Sequence, residues 1–488
     1  MKKIIVTIAS LLLICASAFA KGDSYIYDYW GQLEKSPDTY RVSSVLYADN
    51  LGLDKALKNP QGLFAYEDKL YLLDSDNNRI IELKYNSDKT LSLLREITEF
   101  NAPEGVVNTF ASPRDLYINE DGSWFVADTN NGRVVKLDKD LNYIVSFTEP
   151  DDPNYEKGKT FLPEKVVADS KGRTYILAKN LNQGFLKYEY DGTFTGYFGA
   201  SEVVVDWALV LKKKFATRAQ REQMESFVPT EYSNVYIDKE GFLFAVMRTF
   251  DEGDVASDKA KPIRRLNALG KDILIKNGEF YPIGDVIWGN AGGAKGPARF
   301  SDITVLDNDV YIAMDETRGR LFGYNNQGQM LFAFGGKGSI DGYFRNPTAI
   351  EHFGYDLFVL DGLNASITVF TPTDFGSLIY QATEHYACGE YDEAAAVWEK
   401  ILKINGNYDL AYIGLGKAYI QQKRYEEAME YLKLKRSRRL YSKAFKYYRK
   451  AFIEKYIGLF GGVVLAIIII VAITKRINRV RKELMYEE

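Results

Sequence analysis

The chain has 488 residues, 46% hydrophobic and 26% charged, which excludes a disordered protein and is too long for one ordinary compact domain. Two His and two Cys exclude a disulfide-stapled scaffold and a three-His zinc centre. The formal net charge of −4 hides a split: residues 21–432 carry 45 Lys/Arg against 62 Asp/Glu, a net −17, which speaks against a nucleic-acid partner.

Residues 1–20 read as a signal peptide. Lys2 and Lys3 precede an apolar run from Ile4 to Cys15, and Ala18-Phe19-Ala20 is a small-x-small cleavage site. The mature chain then starts at Lys21 and keeps one thiol, Cys388. An exported domain without an internal disulfide argues for a bacterium.

From residue 62 to 370 one pattern recurs. An apolar strand follows a Pro or comparable turn, a short hairpin leads to a second strand that usually ends in Asp, and a polar loop precedes a third strand. The second strands end at Asp74, Asp128, Asp315 and Asp361, with degenerate copies ending at Lys179 and Arg248. Their spacings are 54, 51, 69, 67 and 46 residues. Period-2 patterning at such a spacing predicts a radially repeated sheet, here a six-bladed β-propeller over 21–373. The last copy lacks a fourth strand. Arg41–Ala48 is a spare strand ahead of the first copy, so we expect it to complete the last blade and close the ring.

Ala127-Asp128-Thr129-Asn130-Asn131-Gly132-Arg133-Val134 and Phe334-Gly335-Gly336-Lys337-Gly338, then Asp341-Gly342-Tyr343-Phe344-Arg345-Asn346-Pro347, resemble the NHL repeat. Asp74, Asn77 and Arg79 repeat the first pattern. The resemblance covers about 330 residues and implies a propeller of that type; the third and fourth copies lack the Asp. Zinc-dependent amidating lyases share this fold but use several His, and His352 with His385 are all this chain has. Lactonase-like relatives hold Ca²⁺ with Glu, Asn and Asp, and no spacing here singles out such a set.

The long connections, Thr148–Leu162, Ser201–Val228, Thr249–Pro262 and Trp288–Arg299, fall on one rim, opposite the short hairpins. Function concentrates on long loops held by rigid strands, so that rim is the expected ligand face. Asn77, Arg79, Asn131, Arg133, Trp207, Arg318 and Arg320 are its candidate contacts, chosen by loop position alone. Ser201–Val228 is expected to contain a helix. The recurrent Asp residues suggest a structural job, a carboxylate serving backbone N–H groups or the loop Arg. No catalytic and no metal residue is assigned, and His352, on a first strand, is expected in the core or channel wall.

Residues 374–442 read as a helical repeat segment, with two units of 34 over 375–442. Tyr391, Glu393 and Ala394 recur as Tyr425, Glu427 and Ala428. Tyr412, Leu415, Gly416, Tyr419, Ala428 and Leu432 resemble the tetratricopeptide pattern, which implies a groove for a protein partner. A further helix with Leu440, Tyr441, Ala444, Phe445, Tyr448 and Phe452 on one side is expected to cap the pair. Residues 443–456 form a basic juxtamembrane helix. The uncharged run 457–474 is long enough for a transmembrane helix, and 475–488 is a cytoplasmic tail. Residues 433–455 carry ten Lys/Arg against Glu454, which by the positive-inside count pulls against export; the signal peptide is given precedence because large domains translocate regardless of charge.

The fold class expected is therefore mainly β, a six-bladed propeller followed by a small helical repeat segment and one transmembrane helix. The function expected is a single-pass cell-membrane protein with residues 21–456 extracytoplasmic. Its propeller rim would bind a protein or glycan, and its repeats a membrane partner such as a transporter or receptor. The bilayer would be met through 457–474, with no nucleic acid and no cofactor. The alternative is a Ca²⁺-dependent lactonase- or esterase-like hydrolase.

Overall fold

In the computed structural model the described residues are 24–28, 30–152, 155, 160–179, 181, 183–199, 232–247, 260–276, 281–286, 290–291, 294–485, with the side chains of 290–291, 294–295 and 483–485 left aside. The signal peptide and Ser201–Val228, with Trp207 and its expected helix, lie outside them. Two compact units divide at Ser377/Leu378.

The first unit is a β-propeller. Sheet A comprises Gly62–Tyr66, Lys69–Asp74, Arg79–Tyr85 and Leu91–Ile97, paired antiparallel in that order. Sheet B comprises Pro113–Ile118, Trp124–Asp128, Arg133–Leu137 and Tyr143–Phe147, and sheet C comprises Pro163–Ala168, Thr174–Ala178, Phe185–Tyr188 and Phe194–Phe198. Sheet E is Phe300–Val305, Tyr311–Asp315, Arg320–Tyr324 and Met330–Lys337, and sheet F is Pro347–Phe353, Asp356–Asp361 and Ser366–Pro372. The spare strand, Tyr40–Leu46, pairs antiparallel with Ser366–Pro372 as the fourth strand of sheet F.

Sheet D departs from expectation. It has three strands, Tyr232–Ile237, Leu243–Met247 and Ile263–Leu266. Among the described residues, five sheets reach four strands, rather than the six blades expected. Among the described residues after Leu266, sheet D gains only an isolated bridge between Leu266 and Asp272, while Asn290–Ala291 and Ala294–Lys295 pair with each other apart from it. A second feature was not foreseen: the hairpin Tyr25–Tyr27 and Leu33–Lys35 extends sheet E at its outer edge, through Tyr25 opposite Ala333.

Burial follows position in the sheet. Second strands are buried end to end, as in Trp124–Asp128 and Thr174–Ala178, because both faces meet neighbouring sheets. Outer strands such as Tyr143–Phe147 keep one buried end and partial exposure elsewhere. Aromatic pairs fill the wedges between sheets: Tyr71 lies edge-on to Trp124 at 4.9 Å, Phe185 stacks on Tyr232 at 4.7 Å, and Tyr85 stacks on Phe353 at 4.7 Å.

Neighbouring sheets are also stitched by hydroxyls. Ser75 Oγ donates to the Pro113 carbonyl at 2.6 Å, Thr129 Oγ1 to Pro163 at 2.6 Å, and Ser233 Oγ to Phe300 at 2.7 Å. Thr348 Oγ1 donates to the Pro60 carbonyl at 3.1 Å, so sheet F meets the start of sheet A.

The second unit is helical, entered through α1 (Asp374–Cys388), followed by α2 (Tyr391–Ile404), α3 (Asp409–Gln421), α4 (Tyr425–Leu434) and α5 (Arg438–Met485). Glycines set the helix spacing. A Cβ on Gly416 would lie 2.4 Å from Leu432 Cγ, and one on Gly414 2.5 Å from the Trp398 ring. The juxtamembrane segment, the apolar run and most of the tail form one continuous helix, α5, which at 1.5 Å per residue extends for about 72 Å. It is long and apolar enough to cross a membrane by length and composition, with a mean hydropathy of 2.9 over its most apolar window. Of the face expected to cap the repeats, Ala444 is buried, but Phe445 and Phe452 are exposed at 45% and 52%. Tyr447 instead meets Tyr425 at 5.9 Å.

Candidate functional site

The innermost strands surround a cavity of about 870 Å³. It begins at the third residue of several inner strands and reaches the tips of the short hairpins at Glu67, Glu120, Ser170, Glu240 and Gly354. This cavity thus opens on the short-turn rim, opposite the one favoured by loop length. Much of the long-loop rim lies outside the described residues.

A bulge after the first residue of most inner strands fixes what the cavity contains. The register shifts between Pro113 and Asp115, Pro163 and Lys165, Tyr232 and Asn234, Phe300 and Asp302, and Pro347 and Ala349. The residue after each bulge occupies an equivalent place, so the column reads Asp115, Lys165, Asn234, Asp302, Ala349. These polar groups reach across to the next sheet. Asp115 Oδ2 accepts the Val166 amide at 2.8 Å, and Asp302 Oδ2 accepts the Ile350 amide at 2.8 Å. Asn234 Nδ2 donates to Asp302 Oδ1, and Lys165 Nζ sits 3.4 Å from Asp115 Oδ1. Glu351, two residues beyond Ala349, is 7% exposed and lines the same space.

The electrostatics are one-sided. Burial, partly offset by Lys165 and the Ile350 and Ile303 amides, pushes the Asp302 carboxyl up to about 6. Burial and then the charge of Asp302 push Glu351 well above the ordinary carboxyl range. Burial also raises Asp115, against the pull of Lys165. For Lys165 burial acts downward, but the charges of Asp115 and Asp302 outweigh it and the ammonium is raised.

His352 lines the cavity as expected. Its Nδ1 lies 2.7 Å from Thr304 Oγ1, and burial holds the imidazole down to about 4, hence neutral. A hydroxyl beside an imidazole suggests a nucleophile and base, but Thr304 is fully buried, with nothing able to approach its oxygen. Among the described residues no three His, Cys, Asp or Glu are placed to hold a metal ion.

The rim residues singled out from sequence, Trp207 aside, serve internal bonds. Asp74, fully buried, accepts the Lys58 amide, Asn77 Nδ2 and Arg79 Nε, each at 2.7 Å. Arg79 further donates to Glu96 Oε2 at 2.6 Å and the Lys55 carbonyl at 2.7 Å. Asp128 repeats the arrangement with the Ala111 amide at 2.7 Å, Asn131 at 2.8 Å and Arg133 at 2.9 Å. Asp315 accepts the Arg299 amide at 2.8 Å, and Asp361 the Arg345 amide at 2.7 Å. In all four copies the carboxylate ties the strand end to a backbone amide sixteen or seventeen residues earlier. The structural job read from repetition is what these Asp side chains perform. Arg318 is 7% exposed and donates to the Gly296 carbonyl at 2.5 Å. Arg320 covers the Tyr25 ring at 4.8 Å and lies 3.7 Å from Asp285 Oδ2. Asp285 also accepts both tyrosine hydroxyls, Tyr25 at 2.6 Å and Tyr27 at 2.5 Å, which pins the N-terminal hairpin to sheet E.

In the helical unit, burial and the neighbouring charges of Arg439 and Lys443 bring the Lys417 ammonium down to about 8. Its Nζ lies 6.0 Å from the Tyr386 ring centroid.

The family model of the tetratricopeptide repeat matches residues 386–434. No curated protein matches the chain by sequence. Among solved structures, the chain is similar to selenomethionine-substituted virginiamycin B lyase from Staphylococcus aureus, at 12% identity over 68% of this chain and 99% of that one, TM-score 0.41. A Bacteroides thetaiotaomicron protein of unknown function gives 11% identity over 68% and 76%, TM-score 0.41. The extracellular domain of a one component system of the same organism gives 9% identity over 64% and 33%, TM-score 0.30.

Proposed function

We propose that this is a membrane-anchored, extracytoplasmic binding and scaffold protein with no chemistry of its own. Residues 1–20 act as the export signal, 457–474 as the single span, 21–456 face outward in a bacterial envelope, and 475–488 stay in the cytoplasm. Sheet D counts as a sixth, three-stranded blade of an NHL-type ring. The propeller receives a protein or glycan ligand, and the tetratricopeptide-like helices hold a membrane partner such as a transporter or receptor. The observation that carries the reading is the pairing of an open, polar-walled propeller cavity with a tetratricopeptide match and one helix able to cross a membrane. The full burial of the Thr304 hydroxyl speaks against its use as a nucleophile beside His352.

The test is co-purification of the full-length tagged protein from native membranes in mild detergent, beside a variant lacking 374–442. The expected result is a membrane complex that is lost with the deletion. A full-length protein that comes down alone, or that turns over esters or lactones with bound Ca²⁺, overturns the reading.

A further inference from the structure

We propose that the propeller cavity binds an extended organic ammonium ligand, of the linear polyamine class, with the Glu351 carboxylate as its inner anchor. The inference rests on the binding reading above and names the kind of ligand the cavity takes.

Glu351 is the group that calls for a ligand. It is more than nine-tenths buried yet lines open space. Its carboxylate accepts one backbone donor, the His352 amide. The imidazole of His352 stands 4.0 Å away but is neutral. Among the described residues no Lys or Arg reaches Glu351 or its neighbour Asp302 within 4 Å. Without a cation at hand burial keeps Glu351 protonated in the empty cavity, and a ligand ammonium that reaches it lets the carboxylate form with release of that proton to solvent.

The imbalance continues to the rim. Glu67, Glu120 and Asp307 line the outer cavity and likewise form no ion pair with Lys or Arg among the described residues. Other rim carboxylates are already used: Asp169 by Arg173 at 2.6 Å, and Asp238 and Glu240 by Arg265 at 2.6 and 2.5 Å. The acidic groups without a Lys or Arg partner therefore run from the mouth to Glu351 rather than converging on one point. Convergence at 2.0–2.6 Å is what a hard metal ion needs, roughly six oxygens at a time for Ca²⁺, and among the described residues no three His, Cys, Asp or Glu are so placed. A spread of carboxylates suits separated positive charges on one flexible chain.

The walls fit the rest of such a ligand. Phe64, Tyr66, Tyr117, Tyr236 and Phe353 line the cavity, and Phe64 meets Tyr117 edge-on at 5.5 Å. Aromatic faces accept both methylene groups and ammonium heads. The cavity already accommodates one alkylammonium, its own Lys165, whose head group rests against Asp115 at 3.4 Å. That contact shows how the wall receives this functional group.

The experiment is isothermal titration of the full-length protein in detergent with spermidine at pH 7.5, with maltotriose and CaCl₂ as controls. We expect one spermidine per chain. Glu351→Gln should weaken binding at least ten-fold while thermal stability is kept or raised. Lys165→Met, which removes the competing cation, should tighten it several-fold. The opposed signs separate a ligand site from a structural defect, which would weaken both variants. Absence of heat with spermidine overturns the inference, as does spermidine binding that Glu351→Gln leaves unchanged, or loss in both variants. Binding of maltotriose alone overturns the ligand class and leaves the binding reading standing. Stoichiometric CaCl₂ binding with ester turnover overturns both.

Discussion

Replacing Asp74 by Ala should destabilise the propeller by about 3–5 kcal/mol, the cost of breaking a buried ion pair by removing one partner. The figure follows from what is stranded. Arg79 is 4% exposed on its side chain and Asp74 is fully buried, so little water replaces the carboxylate. The Lys58 amide loses its 2.7 Å acceptor at the same time, worth roughly 1–3 kcal/mol if left unsatisfied, while Asn77 Nδ2 keeps the Ala56 carbonyl at 2.9 Å. Arg79 keeps Glu96 and the Lys55 carbonyl, which holds the total near the quoted range instead of the sum. Urea denaturation by circular dichroism and tryptophan fluorescence, with the two transitions compared for coincidence, gives the shift. Asp74→Leu combined with Arg79→Met should recover part of the loss, since no charge is then buried alone. Lys84→Ala, which removes an exposed pair with Asp68 at 3.6 Å, should leave the midpoint unchanged. A loss below 1 kcal/mol for Asp74→Ala would refute the structural account. It would return Asn77 and Arg79 to the ligand face.

Stability should fall as pH rises from about 4 to 7. The Asp302 carboxyl is raised to about 6 in the fold, so the folded state holds a proton that the unfolded chain has released. Its contribution, up to about 3 kcal/mol, is complete below the unfolded value and lost as pH passes the folded one. Glu351 acts in the same direction. Asp115, Lys165, Asn234 and Glu351 face the group, and Asp302→Asn should flatten the profile; an unchanged slope refutes the assignment. Gly416→Ala should cost the helical unit about 1–3 kcal/mol by overpacking, because its Cβ would stand 2.4 Å from Leu432 Cγ, and a thermal melt of the full chain reads it. Cys388 is exposed, so an impermeant maleimide should label it on intact cells if 21–456 are outside. Labelling only after lysis would refute export.

Most of the fold could be read because local chemistry and tertiary structure agree. The second strands announce themselves: both faces are buried, so Trp124–Asp128 and Thr174–Ala178 read as short apolar runs, and the first also ends in a buried Asp. The closing strand Tyr40–Leu46 was visible as an unpaired strand ahead of a ring short of one. Sheet D has one strand fewer than expected because the count rests on second strands, and the apolar run Leu243–Met247 says nothing of whether the segment after Ile263–Leu266 pairs. The hairpin at Tyr25 was missed for the opposite reason. Its three-residue strands are too short to show a period, and they are held by side-chain bonds to Asp285, some 260 residues away.

The candidate site was harder to read because loop length points to the wrong kind of evidence. Long loops mark where sequence is free to vary; they do not mark where charge is stranded. Asp115, Lys165, Asn234 and Asp302 lie in inner strands that otherwise read as core, each nine residues before the start of its second strand. Alignment on the first strands puts all four at the third residue, after Pro113, Pro163, Tyr232 and Phe300. A polar column inside a repeated apolar strand has a physical meaning independent of any relative. Each member must find a partner across the sheet gap, as Asp115 does at Val166 and Asp302 at Ile350. Glu351 stands off that column, on the one inner strand whose third residue is Ala349. It therefore has no stitching bond of this kind, and its carboxylate remains turned to the cavity with a single backbone donor. The same bulged register that makes four side chains structural leaves this one to meet whatever enters.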